Sequence, residues 1–140
     1  MRLVVIESPY AGDVETNVGY AKRCVWDCLR RGEAPYASHL LFTQEGILDD
    51  RDPEERLLGL SAGLAWGRSA ATVAVYLDRG ISGGMRHGMQ AYAKEGIPIE
   101  PRRLDGEVTD EDRKAVEEAS ADAGFSARST LALGSLDDEP

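Results

Sequence analysis

Two short apolar runs constrain this chain most: LVVI at residues 3–6 and ATVAVYL at residues 71–77. Both are apolar throughout instead of alternating, so they read as strands covered on both faces, as in a parallel sheet. Helical patterns separate the strands. Asp13 is placed to cap a helix whose Val14, Val18, Ala21, Val25, Cys28 and Leu29 recur on one side, and Gly32 ends it. APYAS (34–38) reads as a short second strand, followed by a longer connection, HLLFTQEGILDDRD. Asp52 then caps a helix with Pro53 in its first position and Glu54 and Glu55 favouring its dipole; Leu57, Leu58, Leu60, Leu64 and Ala65 supply the apolar side. After the 71–77 strand, Ser82 caps a helix carrying Met85, Met89, Tyr92 and Ala93 at helical spacing, with Gly96 as its stop. IPIEPRR is a fourth strand entered through Pro98. Thr109 with Asp112 forms an acidic variant of the capping box, making TDEDRKAVEEASADAG a surface helix. The remainder, FSARSTLALGSLDDEP, is either a packed tail or partly disordered. The expected class is α/β, with a mainly parallel sheet of four to five strands between helical layers.

A chain of 140 residues most simply makes one domain with a real core. Its formal charge of −9 is uneven: residues 104–140 hold 11 acids and three bases, while residues 1–103 hold 14 acids and 13 bases. Such an acidic surface argues against a nucleic-acid polymer as partner, because phosphate backbones need clustered Lys and Arg. No apolar run is long enough to cross a bilayer and no signal-peptide pattern opens the chain, so no membrane partner and a cytoplasmic location are expected. Cys24 and Cys28 lie one helical turn apart and read as small core-facing residues in a reducing compartment. As metal ligands they would have only His39 and His87 to join them, so neither a metal nor a cofactor is expected.

In open α/β sheets ligands lie beyond the carboxyl ends of the strands. ESPYAGD, after the first strand, offers Glu7, Ser8, Tyr10, Gly12 and Asp13. Its tyrosine beside a glycine turn suits a ring or a hydroxyl; the plainer alternative is an ordinary turn with Asp13 as cap. The second loop holds His39, with a ligand-facing and a structural role equally open. The third, DRGISGG, offers Asp78, Ser82, Gly83 and Gly84, whose amides and hydroxyl suit a phosphate or sugar, or else form a turn required by close packing. His87 reads as a surface residue, and Arg79 and Arg86 as partners for a phosphate or for Asp78 and Glu95. Neither a phosphate-loop lysine signature nor a GxGxxG is present.

SPYAGDVETNVGYA, HLLF, DPEERLLGLSAG and DRGISGGMRHGMQAYAKEGIP together resemble small proteins related to the nucleoside 2-deoxyribosyltransferase superfamily, which includes nucleotide N-glycosidases. The resemblance spans residues 3–103 and leaves 104–140 as an acidic helix and tail. It implies a Rossmann-like three-layer sandwich and a nucleoside or nucleotide as ligand. It places Tyr10 and Asp13 at the sugar, and Ser82, Gly84 and Met85 at the 5′ hydroxyl or phosphate. It also implies a homodimer or larger homo-oligomer, for which exposed aromatics on the first two long helices would serve. Members use a glutamate four residues after that glycine as nucleophile. Here that position is Gly88, and a glycine cannot attack. The expectation is therefore a nucleoside- or nucleotide-binding protein without that nucleophile. One alternative is an N-glycosidase or deoxyribosyltransferase in which Glu7, Asp13 or Asp78 serves; another is an oligomeric interaction module with no small ligand.

Overall fold

The two apolar runs become the middle of a four-stranded sheet in the computed structural model, which describes residues 1–121. In chain order the elements are β1 (Arg2–Glu7), α1 (Val14–Arg30), β2 (Glu33–Tyr36), α2 (Ser38–Leu41), α3 (Pro53–Gly67), β3 (Thr72–Tyr76), α4 (Gly83–Lys94), β4 (Ile99–Arg102) and α5 (Asp110–Ser120). The strands lie in the order β2-β1-β3-β4 and every neighbouring pair is parallel. The class is α/β, as expected. The tail at residues 125–140 lies outside the described residues.

Alternation along the strands separates two cores. Val5, Val73 and Val75 face Met85, Met89 and Tyr92 of α4 and Val116 and Ala119 of α5. Val4, Ile6, Ala74 and Tyr76 face Tyr20, Cys24 and Cys28 of α1. Each fully buried Val, Ile or Met contributes roughly 1.5–3 kcal/mol, so either face is a substantial core. Both cysteines are buried free thiols. The predicted caps form: Asp52 accepts from the amides of Glu54 and Glu55, and Thr109 and Asp112 close a reciprocal box at 2.9 and 3.1 Å.

The α1 face also carries a buried polar cluster. Arg102 on β4 grips Glu33 on β2 through two hydrogen bonds of 2.7 Å, and Arg2 adds a third at 3.0 Å. The Tyr76 hydroxyl donates to Asp27 at 2.7 Å and lies 3.2 Å from the Cys28 sulfur. The outermost strands are thereby joined across the sheet face.

The packing side of α3 corrects the periodicity. Leu57, Leu58 and Ala65 point to solvent; the buried positions are Arg56, Gly63 and Gly67, with Leu60 and Leu64 partly covered. A Cβ at Gly67 would stand 2.2 Å from the Tyr92 ring, and the Tyr92 hydroxyl donates to the Gly63 carbonyl at 3.2 Å. Glycine makes this helix contact possible, and the leucines are left outside by it. Two further differences are small. Strand β2 begins at Glu33, and the connection after it contains the short helix α2. Trp26 and Trp66, on α1 and α3, are 62% and 66% exposed.

Candidate functional site

From β1 the chain passes to β2 on one side and, later, to β3 on the other. The gap between β1 and β3 is thus a topological switch point, where the loops leaving the two strands flank a crevice at the carboxyl edge. Asn17 on α1 ties these loops together. Its amide nitrogen donates to the carbonyls of Tyr10 (3.0 Å) and Ala11 (3.1 Å), and its oxygen accepts from Arg79 Nε (2.9 Å). Arg79 is thereby bonded to Asn17 and not to Asp78 or Glu95. Gly12 takes a φ of 95°, which the turn requires and a side chain would resist. Asp13 is exposed and caps α1 by accepting from the Thr16 amide at 3.2 Å; hydrogen bonds from Thr16 hold its carboxyl below the ordinary range. Tyr10 is half-buried between them.

On the β3 side, Ser82 is buried and caps α4 by accepting from the Met85 amide at 3.2 Å. Met85 itself belongs to the core at 1% exposure, its sulfur turned back to the Ser82 amide. Gly83 and Gly84 open the first turn, where backbone N–H groups have no intrahelical acceptor. The Arg56 guanidinium comes up beside this turn. Its Nη2 would lie 3.4 Å from a Cβ at Gly84, while Nη1 bonds Asp50 at 2.8 Å. A helix N-terminus with two glycines and a guanidinium beside it favours an anion. Arg56 escapes the sequence reading; an arginine one turn before Leu60 on the covered side of α3 was the available signal.

Asp78 is committed elsewhere. Its carboxylate accepts from the Tyr20 hydroxyl (2.6 Å) and from the amides of Leu104 (2.9 Å) and Asp105 (3.0 Å). Burial alone would raise its pKa, but these bonds overcome that and lower it. It fastens β3 to α1 and to the segment after β4.

Glu7 and Gly88 meet between the end of β1 and α4. Glu7, the last residue of β1, is on the same face as Val5, and its side chain lies against α4. A Cβ built on Gly88 would stand 2.9 Å from Glu7 Oε2 and 3.0 Å from both Cδ and Oε1. These nearly equal distances put the carboxyl group roughly face-on to the helix. Among the described residues no hydrogen bond to it is formed, and burial pushes its pKa up to about 8. Next to it in sequence, the buried Ser8 hydroxyl lies 2.7 Å from His39 Nε2, and burial pushes the His39 imidazole down to about 4. His39 is therefore neutral at physiological pH. His87 is half-buried, not on the open surface, and burial with the nearby Arg56 charge lowers its pKa.

Among the described residues no cluster of three His, Cys, Asp or Glu side chains is arranged for a metal ion, and no helix is long and apolar enough to span a membrane. No curated protein matches the chain. A solved 2-deoxyribosyltransferase from the psychrotolerant bacterium Bacillus psychrosaccharolyticus is similar in structure, with a TM-score of 0.54 over 88% of this chain and 94% of that one, at 14% sequence identity. At that identity the likeness shows a shared Rossmann-like fold. A family model described as a domain of unknown function, DUF7768, matches residues 2–102. The chain belongs to that family.

Proposed function

We propose that this protein binds a nucleoside or nucleotide at the carboxyl edge between β1 and β3. The 5′ end rests on the start of α4 and the sugar lies against the Tyr10–Asp13 turn. The observation that carries this reading is the juxtaposition at the switch point: Gly83 and Gly84 begin α4, Arg56 stands beside them, and Asn17 holds the facing loop in register. Free amides, a cation and an adjoining aromatic are the groups a sugar phosphate needs. The fold shared with a 2-deoxyribosyltransferase supports the same choice. Asp78 and Met85, both engaged internally, serve the scaffold in this reading. Ser8, His39, Tyr10, Gly12, Asp13, Ser82, Gly83 and Gly84 border the ligand.

Thermal denaturation with 2′-deoxynucleosides and their 5′-monophosphates tests it. A ligand at a hundred times its Kd stabilises by about 2.7 kcal/mol. The monophosphates are expected to raise Tm more than the nucleosides, because the charge on α4 is theirs alone. Gly84→Asp places a carboxylate where the phosphate would sit, while suiting the helix start; it should fold and lose the monophosphate shift. No shift with any of these compounds would refute the reading.

A further inference from the structure

We propose, resting on the nucleoside site above, that Glu7 is the catalytic base of an N-glycoside hydrolase, activating a water that displaces the nucleobase directly from the sugar. Three observations support it. Glu7 ends β1 at the switch point, with its side chain turned toward α4. Gly88 has no side chain, and the carboxyl group of Glu7 fills that space at 2.9–3.0 Å from where a Cβ would be. No group among the described residues hydrogen-bonds it, although carboxyls largely withdrawn from water are ordinarily paired. Of the other acids near the crevice, Asp13 is an exposed helix cap and Asp78 is saturated by one hydroxyl and two amides.

The face-on contact with Gly88 leaves the in-plane lone pairs of both oxygens directed away from α4, free to take a proton from water. The carboxyl stands 2.9–3.0 Å from that Cβ position, so a side chain at position 88 could not extend over it without displacing it.

The step balances without a co-reactant beyond water. The water oxygen forms a bond to the anomeric carbon as the carbon–nitrogen bond breaks, and that bond's electron pair leaves with the base. The water's proton passes to Glu7, which returns it to solvent, and the departing base takes a proton from solvent. The products are free base and free sugar, or sugar phosphate. Burial holds the carboxyl near the pH at which it must work, where a general base is most effective. Of the groups on adjoining elements, Tyr92 on α4 is coupled to the Glu7 charge and is itself raised by burial, while Arg56 on α3 acts on His87. Base release should accordingly increase as pH rises toward 8.

The test uses the full chain with the four 2′-deoxynucleoside 5′-monophosphates and the four 2′-deoxynucleosides, following free base by chromatography and ligand binding by thermal shift. The wild type should release base, and Glu7→Gln should slow release by roughly a hundredfold or more while keeping the thermal shift. Sugar released from a β-nucleoside should emerge first as the α-anomer by NMR, with no transfer to an added second base. A thermal shift without base release in the wild type, or undiminished release by Glu7→Gln, would overturn the catalytic assignment and leave the binding site standing. Retained anomeric configuration or base exchange would overturn direct displacement. Neither shift nor release with any compound would overturn both.

Discussion

Glu33, buried, and Glu7, half-buried, are glutamates at strand ends, and the protein treats them in opposite ways. Glu33, at the start of β2, accepts from Arg102 twice and from Arg2 once, and those guanidinium groups hold its carboxyl down to about 2. Glu7, at the end of β1, has no hydrogen-bond partner among the described residues and burial raises its pKa to about 8. Bringing a charge into the interior is tolerable when an opposite charge meets it. Left alone, the group gives up its charge instead. A displacement from 4.5 to about 8 corresponds to a cost of about 3 kcal/mol at neutral pH. The α1 face of the sheet is thus joined for stability by a pair that runs from the start of β2 to the end of β4, whereas the carboxyl end of β1 keeps a destabilising group, the kind of perturbed carboxyl that concentrates at functional sites.

The largest effect is expected from breaking the paired side. Arg102→Ala leaves Glu33 in a buried site with only the half-exposed Arg2, and should cost about 3–5 kcal/mol in denaturant unfolding. Replacing both partners by apolar residues, Glu33→Leu with Arg102→Met, should restore most of it. Equal stability of Arg102→Ala and wild type would mean the ion pair holds nothing. Because the Glu33 pKa is depressed on folding, its contribution is present above about pH 4.5 and disappears as pH falls through about 2.

Next comes the unpaired side, with the opposite sign. The folded-state pKa of Glu7 is raised, so its protonated form suits the fold fully below pH 4.5, and stability is lost as pH rises toward 8. Glu7→Gln removes that loss. The variant should be more stable than wild type by about 4 kcal/mol at pH 7.5 and by little at pH 4. Denaturant melts at the two pH values measure this, and a variant no more stable at pH 7.5 would show Glu7 to be solvated or paired.

What was legible in the sequence follows from what kind of signal each feature leaves. Strands buried on both faces announce themselves by unbroken apolar runs, and caps by fixed offsets, so β1, β3, α1, α3 and α4 could be read with their order and parallel pairing. Asp52, Ser82 and Thr109 take the cap positions assigned to them. The side on which α3 packs was not legible, because Gly63 and Gly67 carry no hydropathy and yet admit Ser38 and Tyr92. With the leucines misplaced, Arg56 was hidden beside them. In the site, both loops could be found from glycines at strand ends, but not that Asp78 is used up by Tyr20 and two distant amides. Nor could sequence spacing show that Glu7 and Gly88, on different elements, share one volume. That relation is tertiary, and neither residue's neighbours encode it.

The smallest stability effect belongs to the position that links the two readings of Glu7, and it is the most informative. Gly88→Ala adds a methyl 2.9–3.0 Å from three carboxyl atoms of Glu7, tighter than contact allows. Helix propensity favours the alanine by about 1 kcal/mol. The atoms in the way are the far end of a flexible side chain, so the carboxyl can swing outward instead of forcing the backbone, at a cost of similar size. The net change should lie within about 1 kcal/mol of zero. Alanine at both positions separates the opposing contributions: once Glu7→Ala has emptied the space, Gly88→Ala should stabilise by the full propensity difference. The double-mutant cycle then returns a coupling well above the roughly 0.3–0.5 kcal/mol seen for independent sites. The swung-out carboxyl should also titrate closer to an ordinary glutamate, flattening the decline in stability between pH 4.5 and 8. Additive stabilities with an unchanged pH profile would mean that Glu7 does not occupy the Gly88 space in solution, and the contrast with Glu33 would lose its structural cause.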